Sequence, residues 1–127
     1  MHFFNYKGAN LCAEGVRVDT IAKEIGTPVY IYSLKTLQRH FNAFDSAFKE
    51  AAHLVCYSIK ANSNISVLKV FADEGSGFDI VSAGELFRAL KAGADPRKIV
   101  FSGVGKRVDE IEYALKKNIL MFNVESP

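Results

Sequence analysis

The chain has 127 residues, 49% hydrophobic and 24% charged, a composition that excludes a disordered segment and gives one modest domain its own core. Sixteen basic against fourteen acidic residues leave a formal charge of +2, and the paired basics Lys106-Arg107 and Lys116-Lys117 are too sparse for a nucleic-acid footprint. Cys12 and Cys56 have no CxxC spacing, His2, His40 and His53 share no ligand spacing, and no apolar run approaches the roughly 18 residues of a spanning helix, so a reduced, metal-free cytoplasmic protein is expected.

In chain order, Phe3, Phe4, Tyr6 and Leu11 surround the turn signal Lys7-Gly8-Ala9-Asn10 and predict a short hairpin-like β segment. Asp19 is the expected cap of a short helix with Ile21, Ala22 and Ile25 on one face, and Gly26 is its expected stop. Pro28-Val29-Tyr30-Ile31-Tyr32 reads as a strand with proline at its first residue. Ser33 then caps the longest predicted helix, whose Leu34, Leu37, Phe41, Phe44 and Phe48 form an apolar stripe that should be buried.

From residue 54 a β/α rhythm sets in: strands 54–59, 78–82, 99–102 and 119–124 alternate with helices 65–73, 83–92 and 108–117. Parallel strands joined by right-handed crossovers have this spacing, and Gly75, Gly93 and Asn118 stand where the helices should stop. Four such units fit either a small doubly wound sheet or the first half of an eight-stranded barrel, which when complete needs about 250 residues. The last residues, Asn123-Val124-Glu125-Ser126-Pro127, follow a strand directly and read as a cut. An open half barrel exposes strand edges, so self-association is expected.

Lys60 ends the apolar run Leu54–Ile59, at the strand edge where α/β folds bind ligands. Strand alternation places Ser58 and Cys56 on its side and Tyr57 and Ile59 on the other. A lysine amine forms a Schiff base with an aldehyde when burial supplies it uncharged. Asp79, inside the next apolar strand, needs a partner; it is either a hydrogen-bonded structural aspartate or the counter-charge of Lys60. Ser82-Ala83-Gly84-Glu85 is a capping box, and Glu85 could also face the ligand side. Phe101-Ser102-Gly103-Val104-Gly105-Lys106 fails the phosphate-loop spacing, and Arg107 stands where serine or threonine is required. The segment remains a candidate pocket wall.

Taken together, Tyr57-Ser58-Ile59-Lys60-Ala61-Asn62, Phe78-Asp79-Ile80-Val81-Ser82-Ala83-Gly84-Glu85 and Phe101–Lys106, with Phe4-Asn5-Tyr6 and Gly26–Tyr32 before them, resemble the diaminopimelate decarboxylases over nearly the whole chain. The resemblance implies a pyridoxal-5'-phosphate enzyme of the alanine-racemase-like fold: an α/β protein in which residues 1–32 belong to a β domain and residues 33–127 form the first half of a (β/α)8 TIM-type barrel. It implies that Lys60 holds the cofactor, that Ser58 lies beside its ring, and that Asp79 and Glu85 are acidic groups near the lysine. The implied reaction is decarboxylation of meso-diaminopimelate to L-lysine by a cytoplasmic homodimer. The family's phosphate-binding, ring-nitrogen and substrate-reading residues have no counterpart here, so the chain by itself is expected to be inactive. Decarboxylases of ornithine, arginine or carboxynorspermidine are the alternatives within the fold; a non-catalytic pyridoxal-phosphate-binding or interaction module is the alternative outside it.

Overall fold

Turn chemistry at the amino terminus produces a meander. In a computed structural model, which describes residues 2–126, β1 (Phe4–Lys7) pairs antiparallel with β2 (Asn10–Ala13), and β2 with β3 (Val16–Arg17). Gly8, at φ 60°, supplies the left-handed residue of the first turn. Glu14 does so in the second turn at φ 56°, a conformation that strains a residue with a Cβ. Its carboxylate is held in return: Glu14 Oε1 accepts from the Ser33 hydroxyl at 2.8 Å and from the Lys35 N–H at 2.9 Å. These two bonds hold the carboxyl below its usual pKa, the Lys35 N–H being the larger cause.

α1 (Val18–Ile25) starts one residue earlier than its sequence signal. Asp19 therefore lies in the first turn instead of capping it, and pairs with Arg17 at 2.5 Å. Gly26 ends the helix at φ 93°, as its missing Cβ allows. Residues 28–32 form no strand and join neither sheet. Their β-formers have no ladder to enter, and Tyr30 and Tyr32 stand largely in solvent; propensity without a partner strand does not make one. Ser33 does cap α2 (Leu34–Ala47), its Oγ accepting from the Thr36 N–H at 3.1 Å.

The α2 stripe departs from expectation. Phe41 is buried, but Leu34, Phe44 and Phe48 are about half exposed. The helix ends at Ala47, so Phe48 leaves the stripe and its ring lies 5.3 Å from Phe44 and 5.6 Å from His53. Helical periodicity shows which face needs cover without supplying the cover.

The chain divides into two compact units, Met1–Ala43 and Phe44–Pro127. In the second, β4 (Cys56–Ser58), β5 (Gly77–Ile80), β6 (Ile99–Phe101) and β7 (Met121–Phe122) form a parallel sheet in strict chain order. A doubly wound sheet reverses its order at a switch point; sequential neighbours are the arc of a barrel. The crossovers are α3 (Ile65–Asp73), α4 (Ala83–Lys91) and α5 (Val108–Lys116). Gly75, Gly93 and Asn118 follow them at positive φ, the left-handed geometry that stops a helix.

Strand register sorts the residues into two faces. Tyr57, Phe78 and Ile99 are neighbours in one row, and Ile80 and Phe101 in another; this is the helix side. Phe78, Ile80, Ile99 and Phe101 are completely buried there, as are Leu68 and Leu86 of the helices, each such side chain contributing about 1.5–3 kcal/mol. Tyr57 stacks on Phe71 with ring centroids 4.1 Å apart. The opposite face carries the row Ser58, Asp79, Val100 and Met121. Gly77 stands where strands crowd, since a Cβ there would come within 2.5 Å of the Lys98 carbonyl oxygen and 2.7 Å of Cys56 Sγ.

Candidate functional site

A cleft of about 390 Å³ opens at the carboxyl edge of β4 and β5. The first β/α unit contributes Ile59, Lys60 and Ser63, and the second contributes Ser82, Gly84, Glu85 and Arg88. Lys60 reaches it by a route different from the expected one. β4 ends at Ser58, and Ile59–Ala61 form a 3₁₀ turn, so the period-two alternation stops before the lysine. Ile59 goes into the core with no exposed surface, which turns the exposed Lys60 outward to the cleft.

Asp79 finds a partner, and it is not Lys60. Register sets Asp79 opposite Ser58, and the Ser58 hydroxyl donates to Asp79 Oδ2 at 3.1 Å. Asp79 Oδ1 is buried without a hydrogen-bond partner among the described residues. A buried carboxylate oxygen left empty is costly; neither Asp79 nor Ser58 is among the residues that line the cleft. Cys56 shares this face: burial pushes its thiol up, and the Asp79 charge adds to the effect. A thiol held protonated is a packing residue, not a nucleophile.

Ser82 caps α4 as expected, but Glu85 does not close the box: its side chain lines the cleft and its carboxylate bonds outside the cap residue. Ser82 Oγ accepts from the Glu85 N–H at 3.2 Å. Glu85 Oε2 reaches back to the Val81 N–H at 2.7 Å, one residue before the cap position. Glu110 of α5 adds a second carboxylate here, accepting from the Ala83 N–H at 2.9 Å through Oε1 and from its own helix's Arg107 N–H at 3.2 Å through Oε2. The start of α4 is thus held by its own serine and by the next helix.

The loop after Phe101 does not wall this cleft. Gly103, at φ 93°, lets it fold back, and Lys106 Nζ donates to the Gly103 carbonyl at 2.5 Å and to Glu125 at 3.1 Å. Ser63 and Arg88 are cleft residues that sequence reading missed. For Arg88 a signal existed: it lies three positions after Glu85, on the same helical face.

The residues present fit a pyridoxal cofactor. A lysine and a glutamate line one cleft of ligand size, and the strand leading to the lysine ends in a small hydroxyl residue, Ser58, bonded to Asp79, whose other carboxylate oxygen has no donor among the described residues.

The chain belongs to the pyridoxal-dependent decarboxylases: residues 34–127 match the family model described as pyridoxal-dependent decarboxylase, pyridoxal binding domain. Among its relatives, a diaminopimelate decarboxylase of Haemophilus influenzae is 55% identical over 126 residues, covering 99% of this chain and 30% of that protein. The crystal structure of diaminopimelate decarboxylase from M. jannaschii in complex with L-lysine superposes with a TM-score of 0.93 at 32% identity, over 97% of this chain and 30% of that one. The Helicobacter pylori enzyme complexed with L-lysine gives 0.82 at 50% identity, over 85% of this chain and 27% of that one. The chain spans about 30% of the length of the curated relatives it matches. The alanine-racemase-like fold, with an arc of the α/β barrel, is therefore the fold of this chain. Among the described residues no helix is long and apolar enough to cross a membrane.

Proposed function

We propose that this chain is the lysine-bearing part of a pyridoxal-5'-phosphate-dependent carboxy-lyase that converts meso-diaminopimelate to L-lysine. One observation carries the reading: Lys60 and Glu85, from consecutive β/α units, line a single cleft at the carboxyl edge of the sheet. Diaminopimelate decarboxylases 55% and 54% identical to it support the substrate, and bound L-lysine in two similar structures supports an amino-acid ligand. Residues 1–32 contribute to a β domain, residues 33–127 open the barrel, and the full-length protein works as a cytoplasmic homodimer.

When bound, pyridoxal phosphate supplies the electron sink for the bond that breaks. The chain's own residues supply the anchor and the local field. Lys60, which lines the cleft, would hold the cofactor through its amine. Ser58, small and hydroxylated, fixes Asp79 through its hydrogen bond and would leave room for the cofactor. Asp79 Oδ1, without a donor among the described residues, would accept from a group that a ligand brings. Glu85, rigid because its carboxylate is tied to the Val81 N–H, presents the second negative group. The residues that bind phosphate and read the substrate lie in the remainder of the relatives' length, so the 127-residue chain alone releases no carbon dioxide at an enzymatic rate.

Borohydride reduction of the full-length protein with its cofactor, followed by peptide mapping, should label Lys60. Label on another lysine overturns the assignment. A substrate panel of meso-diaminopimelate, ornithine, arginine and carboxynorspermidine should give turnover with the first alone.

A further inference from the structure

We infer that Arg88 is a positioning residue, a clamp that fixes the loop carrying Lys60; its link to the reaction rests on the function proposed above. The 3₁₀ turn bearing Lys60 ends at Ala61, and α3 begins at Ile65, so residues 62–64 alone join them. On the α3 side this loop is fixed by its own asparagines. Asn62 Oδ1 accepts from the Asn64 N–H at 3.0 Å, and Asn64 Oδ1 accepts from the N–H groups of Ser66 and Val67 at 2.9 and 3.4 Å. Those bonds tie the loop to the helix that follows it and to nothing across the cleft.

Arg88 supplies the cross-tie. From α4 its Nη1 donates to the Ser63 carbonyl at 3.1 Å, between residues 25 apart in sequence. A hydrogen bond from a guanidinium is about twice as strong as one between neutral groups, and a planar fork loses little freedom in making it. Ser63 is three residues from Lys60, with a rigid turn between, so holding its carbonyl restricts where the Lys60 amine can travel. Glu85, one turn before Arg88 on α4, has its carboxylate tied at the cleft mouth. One helix therefore sets both the acidic group and, through Arg88, the lysine of the opposite wall. Their separation across the cleft becomes a property of α4.

The test uses the full-length protein with Arg88→Met, which keeps the stem and removes the donors, and Arg88→Lys, which keeps the charge and one donor group. In the cofactor-free protein, Arg88→Met is expected to raise hydrogen exchange of amides 61–64 about tenfold while the β5 and β6 amides stay as in the unaltered protein. Arg88→Lys should recover part of that protection. With cofactor added, absorbance titration of Arg88→Met should show weaker uptake of pyridoxal phosphate by about tenfold, with Arg88→Lys between. Unchanged exchange at 61–64 in Arg88→Met overturns the clamp. So does a rise spread evenly through the sheet, which marks general destabilisation. Failure of the function reading looks different: cofactor remains covalently trapped in Lys60→Ala, while the exchange result in the cofactor-free protein stands.

Discussion

The two compact units bury their residues differently, and the difference separates support from chemistry. Among the described residues, every large side chain that is completely buried, Phe78, Phe101, Ile59, Leu68, Ile80, Leu86 and Ile99, belongs to Phe44–Pro127. Met1–Ala43 buries Cys12, Ala13 and Phe41 among its apolar residues, and depends on polar ties such as Glu14 with Ser33 and Lys35. A β/α unit makes its own core because each helix covers the strands it connects. A short antiparallel meander has too little apolar area for that. The unit with the larger core also holds the cleft lined by Lys60 and Glu85, and a site of fixed geometry needs a packed scaffold beneath it.

Lys60→Ala in the full-length protein should bring decarboxylase activity to background and remove reductively trapped cofactor, while Tyr30→Ser, far out in solvent, leaves kcat unchanged. Loss of kcat in the second variant would break the division of labour. Next in size, Phe78→Ala should cost the second unit about 3–5 kcal/mol in urea unfolding, because an empty cavity replaces a fully buried ring. Ser33→Ala removes a helix cap and should cost about 1 kcal/mol. If the two substitutions proved equal, the contrast in cores would be wrong.

Acid should distinguish the units more gently. The Glu14 carboxyl titrates below its ordinary value when folded, so the stability it confers is fully present above the unfolded pKa and disappears as pH falls through the folded one. Glu14→Gln should flatten the acid limb of thermal stability between those two values, measured by pH-dependent melting of the chain. The smallest effect is that of Tyr30→Ser on stability, expected within about 0.5 kcal/mol.

Much of the barrel arc was legible in advance because its signals are local. Period-3.6 faces and the stops Gly75, Gly93 and Asn118 need only neighbours along the chain, and the helix 65–73 matches α3 from end to end. Residues 28–32 and the α2 stripe went astray for the opposite reason: a strand needs a partner and an apolar stripe needs a cover, and both come from elsewhere. The site was legible in the same uneven way. Lys60 stood out as a lysine ending an apolar run, and Glu85 as the glutamate three residues after a capping serine. The bond from Arg88 to Ser63 spans 25 positions and leaves no mark on either segment.

By itself, then, the sequence determined the β/α rhythm, the caps Ser33 and Ser82, the helix stops, and a lysine just beyond the first strand of that rhythm, since each depends on residues within one turn or one strand. Tertiary structure decided the rest. Register gave Asp79 to Ser58 instead of Lys60, and left Asp79 Oδ1 unsatisfied. The early end of β4 turned Lys60 into the cleft through a 3₁₀ turn, and the placing of α4 set Glu85 and Arg88 beside it. The physical reason is the same each time: pairing between strands and packing between helices are settled by contacts distant in sequence, and local propensity carries no record of them.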